Sequence, residues 1–373
     1  MAVVTSCIVT PDKQYFSYPD WKTLSCLFLT LAVICALKNI RFFSIVAHKI
    51  VVMTGNLRIL TLALVYITFI GSMLIANDMA LITFLPLGYF ALSSTHNEDR
   101  MAYVFILQNI SANLGGMLTP FGNPQNLYLY SAFNIPTGEF TMIMLKPFIL
   151  AIAMLTAACF FLKPLPLVIN DTTPGRLNAK RTTLYLVLFS FSILIVFRVV
   201  PYLAGLILIP AVLFFADKTA LRQVDWGLLG TFFFFFIFSG NMSRIPAVNE
   251  LLGRLLARDT LLVSELSCQF ISNVPSAILL SKFTENYKEL LLGVNIGGTG
   301  TLISSLASLI TFNHYRTLRP GHTKQYLLLF TLMNVIFLGV MTLATKFMFP
   351  VNPSRIIRAV DEDSPLFFTL NLK

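Results

Sequence analysis

The chain has 373 residues, of which 56% are hydrophobic and 12% charged, with 34 Phe and a mean hydropathy of +0.76. Soluble domains carry roughly 25% charged residues, so this composition excludes an ordinary water-soluble fold; repeated apolar runs of about 20 residues mark a multi-span membrane protein. The formal charge of +10 does not signal a nucleic-acid partner, because Lys and Arg are scattered through short connections rather than gathered on one face.

Residues 1–20 form a leading segment. Its "MAVVTSCIVTPDKQYF" has neither the basic start nor the continuous apolar core of a cleavable signal, so the first apolar span, 22–40, is expected to direct insertion. In 57–92, apolar arms flank the polar break "ANDMA". The second arm, 80–92, reaches only about 20 Å as a helix, short of a hydrocarbon core of about 30 Å, so the segment is read as a re-entrant hairpin with the break at its tip. The span 101–130 is interrupted by "ANLGGMLTPFGNPQNLYLY", rich in Gly, Pro, Asn and Gln and free of charge. A span at 142–163 and a polar linker at 164–182 follow. Beyond them come spans at 183–199, 201–216 and 226–243, a second hairpin at 259–283 broken at "SNVPSA", an interrupted span at 288–312, a last span at 324–346, and a C-terminal tail at 347–373.

The two halves, 21–163 and 183–346, repeat one another. "PDWKTLSCLF" answers "VDWGLLGTFF", matching Trp21 with Trp226; the hairpin tips match Asn77 with Asn273. "NLGGMLTPFGNPQNL" answers "NIGGTGTLISSLASL", matching Asn113 with Asn295 and Gly115-Gly116 with Gly297-Gly298. Three matches in one order make chance a poor explanation. With hairpins counted as zero crossings, an odd number of spans separates the matched starts, so the repeats are expected to be inverted. Two spans, 183–216, precede Asp225-Trp226 without a counterpart before Asp20-Trp21: either the chain lacks that pair or the sequence starts late. The basic residues Lys163, Arg176, Lys180 and Arg181 of one short loop, and Arg316, Arg319 and Lys324 of another, place both loops inside and the N-terminus outside.

Backbone N–H and C=O groups cannot stay unpaired in hydrocarbon, so breaks at membrane depth must be enclosed by protein or line a wet cavity. A break exposes helix N-termini, which attract anions, and helix C-terminal carbonyls, which coordinate Na⁺. Two tips and two unwound segments, 113–126 and 295–308, are therefore expected to converge near mid-membrane on a substrate and ion site. Its candidate residues are Asn77, Asp78, Asn113, Thr119, Gly122, Asn123, Gln125, Asn126, Ser272, Asn273, Pro275, Asn295, Gly298, Thr299, Thr301, Ser304, Ser305 and Ser308. Asp78, the one carboxylate in a tip or unwound segment, is either a cation ligand or proton carrier or a cap on the second hairpin arm. Asn77, Asp78 and Asn273 are the candidate Na⁺ ligands. Arg198 and Arg244 stand near span ends, placed to snorkel or to neutralise an anion. The run of Phe from 232 to 236 is read as lipid-facing or packing surface. No CxxC pair, histidine ligand spacing or nucleophile–base pair is present, so neither a bound metal cofactor nor an enzyme is expected.

"IANDMALITFLPL", "GGMLTPFGNPQN", "SNVPSAILL" and "NIGGTGTLISSLASLI" resemble the motifs of the ion transporter superfamily, from about residue 18 to 346. That group holds divalent anion/sodium symporters, citrate-transporter-like permeases, arsenite permeases and D-type sodium/proton antiporters; this chain is most similar to the bacterial anion-permease-like branch. In the sodium/dicarboxylate members, paired Ser-Asn-Thr motifs hold sodium and substrate carboxylates. Ser272 and Asn273 match the second motif, with Val274 in place of Thr; Asn77 alone matches the first, and Asn77-Asp78 resembles the arsenite-permease and antiporter branches. The resemblance implies an inner-membrane secondary transporter moving a small carboxylate or oxyanion by symport with Na⁺ or H⁺. The alternatives are a Na⁺/H⁺ antiporter using Asp78 and an arsenite-type efflux permease. A homodimer is compatible with this organisation.

Overall fold

The computed structural model describes residues 1–167 and 177–349, so the middle of the expected linker at 164–182 and most of the expected tail at 347–373 lie outside the described residues. In chain order the helices are α1 (Ala2–Ile8), α2 (Trp21–Asn39), α3 (Phe42–Val52), α4 (Leu57–Ile75), α5 (Asn77–Ser94), α6 (Met101–Gly115), α7 (Pro124–Ala132), α8 (Thr137–Phe160) and α9 (Ala179–Val196). They continue as α10 (Tyr202–Ala216), α11 (Lys218–Arg222), α12 (Trp226–Ser243), α13 (Pro246–Arg258), α14 (Thr260–Ile271), α15 (Asn273–Leu280), α16 (Tyr287–Ile296), α17 (Leu306–Leu318) and α18 (Thr323–Met348). The β contact among the described residues is an isolated bridge between Asn56 and Pro166. Among the described residues, six segments are long and apolar enough to cross a membrane: α2, α4, α8, α9, Lys218–Ser243 and Pro320–Met348. The protein is an all-α polytopic membrane protein, as its composition requires.

Side-chain caps set where the apolar helices begin. Asp20 Oδ1 accepts the Thr23 N–H at 3.0 Å and Asp225 Oδ1 that of Leu228 at 2.8 Å, so each Asp-Trp pair opens a helix. These helices, α2 and α12, pack antiparallel: Trp21 meets Phe233 with ring centroids 6.2 Å apart, and Phe28 meets Trp226 at 5.6 Å. Within the Phe run, Phe232 and Phe236 are buried and Phe234 is exposed, so one stretch serves both packing and the outer surface.

Two helix pairs fold back at non-glycine residues in rarely populated backbone: α4 and α5 at Ala76 (φ 65°, ψ 154°), α14 and α15 at Ser272 (φ 75°, ψ 159°). Each such residue costs about 1–3 kcal/mol and persists only where its surroundings enforce it. Two further helices break in their middles, between α6 and α7 and between α16 and α17. The breaks cover 116–123 and 297–305, narrower than the expected 113–126 and 295–308, because the Gly-Gly pairs end the helices while Asn113 and Asn295 stay in their last turns. A Cβ on Gly115 would lie 2.3 Å from the Phe69 carbonyl oxygen, and one on Gly297 would lie 2.9 Å from Glu265 Cα. Glycine thus lets each broken helix touch the backbone of a hairpin arm.

The run 201–216 yields only the 15-residue α10, with Pro210 inside it, shorter than the expected span. Helices α3 and α13 were not expected; each stands between a Trp-led helix and a hairpin. Helices α6, α7, α15 and α16 are buried along most of their length, whereas α10, α12 and α18 expose large apolar side chains such as Phe215, Phe234 and Leu328. The polar, broken elements therefore occupy the interior, enclosed by apolar ones.

Candidate functional site

Both tips and both helix restarts meet at one cavity of about 420 Å³. Asn77 and Asp78 enter from the first tip, Ser272 to Pro275 from the second, Pro124 and Gln125 from the start of α7, and Ser305 and Leu306 from the start of α17. Asp225, Gly227, Leu228 and Thr231 at the start of α12 complete the polar side of the wall. Five helices, α5, α7, α12, α15 and α17, therefore present first-turn residues to one space, each with roughly half a positive charge at its N-terminus.

At each tip the asparagine turns back on its own helix. Asn77 Oδ1 accepts the Asp78 N–H at 3.0 Å, and Asn273 Oδ1 accepts that of Val274 at 2.9 Å. Asn77 Nδ2 then donates to Asn113 Oδ1 at 3.1 Å, whereas the Asn273 N–H donates to the Ser304 carbonyl at 2.9 Å. Each tip is thereby tied to an unwound helix.

Behind the cavity, buried amides join the two broken helices. Ser305 Oγ donates to Asn113 Oδ1 at 2.8 Å, and Asn123 Nδ2 donates to Asn295 Oδ1 at 3.2 Å. The four residues are matched pairs in the sequence alignment, so the two bonds are counterparts. Asn295 Oδ1 also accepts Gln125 Nε2 at 3.4 Å, while its Nδ2 donates to Asn126 Oδ1 at 2.6 Å and to the Leu291 carbonyl at 2.8 Å. Another counterpart pair ties hairpin to break: Thr119 Oγ1 donates to the Met73 carbonyl at 2.9 Å and Thr301 Oγ1 to that of Gln269 at 3.1 Å.

Of the sequence-predicted residues, Asn77, Asp78, Gln125, Ser272, Asn273, Pro275 and Ser305 line the cavity. Asn113, Asn123, Asn126 and Asn295 form the buried network behind it, and Ser308 accepts a bond from Asn109 at 3.3 Å. Thr119, Gly122, Gly298, Thr299, Thr301 and Ser304 shape the unwound backbone: Ser304 Oγ donates to the Gly298 carbonyl at 2.9 Å and Thr299 Oγ1 to that of Ile296 at 2.6 Å. Sequence reasoning missed Asp225. The recurrence of Asp-Trp marked it without assigning it to the site, yet it caps α12 and lines the cavity at once.

The charges of the wall are Asp78 and Asp225, and no Lys, Arg or His is among its lining residues. Asp78 Oδ1 and Gln125 Oε1 are buried without a hydrogen-bond partner among the described residues. The N-cap position of α5 is Ala76 and Asp78 Oδ1 accepts no N–H among the described residues, so Asp78 does not act as the cap of the second arm. Its bare oxygen suits a cation or a proton. Arg198 instead donates to the Tyr130 carbonyl at 2.5 Å and lies 4.2 Å above that ring, while Arg244 pairs with Asp12 at 2.8 Å. A second cleft, of about 400 Å³, lies toward the far end of α7 and is lined by Asp20, Lys22, Tyr128, Ser131 and Lys282.

An all-α chain whose re-entrant tips and unwound helices enclose a polar cavity among membrane spans has the build of a membrane transporter. The chain belongs to the citrate transporter family, whose profile matches residues 1–288. It is similar to an uncharacterised transporter of Methanocaldococcus jannaschii, 32% identical over 305 residues, which are 82% of this chain and 83% of that one. It is also similar to the inner membrane protein YbiR of Escherichia coli, 28% identical over 80% of this chain and 81% of that one. A shorter match, 31% over 42% of this chain and 32% of the other, is to a silicon efflux transporter of Oryza sativa subsp. japonica.

Proposed function

We propose that this protein is a secondary active transporter that moves a small anion, a carboxylate or an oxyanion, coupled to Na⁺ or H⁺ by alternating access. The observation that carries this reading is the meeting of both tips and both helix restarts at one cavity. Helix N-termini and amide N–H groups favour an anion there, while Asp78 opposes it until a cation or proton neutralises the carboxylate. A carboxylate bound about 4 Å from ionised Asp78 is repelled by about 4 kcal/mol at an effective dielectric of 20, roughly a thousandfold in affinity. Coupling is then electrostatic: the anion binds well only with its counter-ion. Na⁺ would sit among Asn77, Asp78 and Asn273.

Alternating access rests on two inverted repeats, 21–163 and 183–346. A two-fold axis makes every contact between positions of the two halves recur with the partners exchanged. The contacts Trp21–Phe233 and Phe28–Trp226, and the bonds Ser305–Asn113 and Asn123–Asn295, have this form and support the reading. The clefts at Asp225 and Asp20 would be the two vestibules, with the N-terminus outside a bacterial inner membrane.

Protein reconstituted in liposomes should accumulate labelled citrate when an inward Na⁺ or proton gradient is imposed, and Asp78→Asn should disconnect uptake from the gradient. Uptake indifferent to both gradients would overturn the coupling. A second reading, exchange of Na⁺ for H⁺ at Asp78, is favoured by the lack of a basic side chain in the cavity wall. It expects pH-dependent Na⁺ flux without citrate, lost in Asp78→Asn.

A further inference from the structure

Glu265 lies in α14, the first arm of the second hairpin, and is buried. The matched position in the first arm is Phe69, so this carboxyl is no part of a shared framework. Its Oε1 has no hydrogen-bond partner among the described residues. Its Oε2 lies 2.8 Å from Oγ1 of Thr342 on α18, and the same hydroxyl lies 2.7 Å from the Leu338 carbonyl. The charged groups acting on Glu265 are Asp259, which caps α14, and Lys346 of α18; they are paired with each other at 2.6 Å. Cys268, one turn on, is the other titratable neighbour, and the Gly297 backbone, just past the end of α16, packs close to the Glu265 Cα.

A threonine hydroxyl has one proton to donate. With Glu265 ionised, that proton serves either Oε2 or the Leu338 carbonyl, and the other short oxygen–oxygen contact holds no hydrogen. With Glu265 neutral, the acid donates to Thr342 and Thr342 donates to Leu338, so both contacts are hydrogen bonds. A carboxylate with one bond at membrane depth is also the costly form. Ca²⁺ or Mg²⁺ would need about six oxygens, and among the described residues the hydroxyl of Thr342 is the single side-chain oxygen bonded to this carboxyl.

We propose that Glu265 is a proton-binding site, holding its proton against Thr342 and linked through Gln269 to the second unwound stretch. Gln269 Nε2 donates to the Glu265 carbonyl at 3.0 Å and to that of Gly297 at 2.9 Å, and its Oε1 accepts the Thr301 N–H at 2.9 Å. The backbone turn that carries Glu265 is thereby joined to the second unwound stretch, from which Ile303 and Ser305 reach the cavity wall. Calling this proton a coupling ion rests on the transport reading above; the site itself does not.

Infrared difference spectra of the purified protein, recorded as the pH is raised, read the site directly. A protonated-carboxyl band should be present at mildly acidic pH, vanish at alkaline pH, be absent from Glu265→Gln, and shift in Thr342→Val, which keeps the acid and removes the hydroxyl. No difference between wild type and Glu265→Gln at mildly acidic pH, a band that survives at alkaline pH, or a band unmoved in Thr342→Val would overturn the proposal. In liposomes, Glu265→Gln should remove the proton-gradient dependence of citrate uptake; proton-driven uptake unchanged in that variant would overturn the coupling role. The spectrum needs no transported substrate, so its outcome is independent of whether citrate is carried.

Discussion

Replacing Asn295 by alanine should destabilise the protein more than replacing its matched partner Asn113, although both stand two residues before a Gly-Gly pair. Asn295 makes three side-chain bonds to the opposite broken helix, with Asn123 at 3.2 Å, Gln125 at 3.4 Å and Asn126 at 2.6 Å. Asn113 makes two, with Asn77 at 3.1 Å and Ser305 at 2.8 Å, and its Nδ2 has no partner among the described residues. Such a bond in a membrane protein contributes about 0.6 kcal/mol on average and about 1.7 kcal/mol at most. Asn295→Ala should therefore cost about 2–5 kcal/mol and Asn113→Ala about 1–3 kcal/mol. The first change also strands two buried polar groups, Gln125 Nε2 and Asn126 Oδ1, while Asn123 Nδ2 keeps its bond to the Asn113 carbonyl at 3.3 Å, and the stranding pushes the cost toward the upper end. Denaturant unfolding in mild detergent measures both, and a double-mutant cycle of Asn295→Ala with Asn123→Ala isolates the bond between the broken helices. The reasoning is refuted if Asn113→Ala proves the more damaging change, or if positions 123 and 295 contribute independently.

Gly115→Ala places a Cβ 2.3 Å from the Phe69 carbonyl, so α4 and α6 must separate at a cost of about 1–3 kcal/mol, while Gly138→Ala meets nothing within 4 Å and should leave the melting temperature unchanged or raised. Equal melting of the two variants would dismiss the close-approach argument. At the N-terminal segment, the hydrogen bond from Arg244 holds the Asp12 carboxyl below its ordinary value of 3.8. A depressed folded-state value means the contact is fully present above that pH and lost as the pH falls through the depressed value. Hydrogen exchange of residues 1–17 should therefore quicken in acid relative to the chemical rate, and Asp12→Asn should quicken it already at neutral pH.

Much of this architecture is legible in the sequence because hydrocarbon punishes unpaired backbone. A Gly-Gly pair or an Asn-Asp dipeptide within an apolar run has few tolerable explanations, so the hairpins and the broken helices declare themselves. The limits of the breaks are less legible: Asn113 and Asn295 are polar but do not break a helix, and they stay in α6 and α16 as network members. Helices α3 and α13, of 11 and 13 residues, carry neither the length of a span nor a polar break. Asp225 is hidden for a different reason. An aspartate before a helix reads fully as its cap, and nothing local to the chain reveals that the helix start faces a cavity built from residues far away in sequence.

The distribution of matched and unmatched residues bears on how one cavity can serve an anion and its counter-ion. The uncharged bonds recur in both halves: Ser305–Asn113 with Asn123–Asn295, and Thr119–Met73 with Thr301–Gln269. Apart from the helix caps Asp20 and Asp225, which do recur, the two carboxyls singled out above do not, since Asp78 is matched by Val274 and Glu265 by Phe69. If the halves are inverted repeats, as we propose, a symmetric uncharged frame gives the two access states similar internal bonding, so neither is favoured by the frame itself. A second carboxylate at the Val274 position would face Asp78 across the same space. Two such charges about 4 Å apart repel by about 4 kcal/mol at an effective dielectric of 20, enough to force a proton onto one of them. A single carboxylate among the two tips avoids that conflict and leaves one group whose charge follows the coupling ion. The departures from symmetry, more than the symmetry, are then where ion selectivity resides.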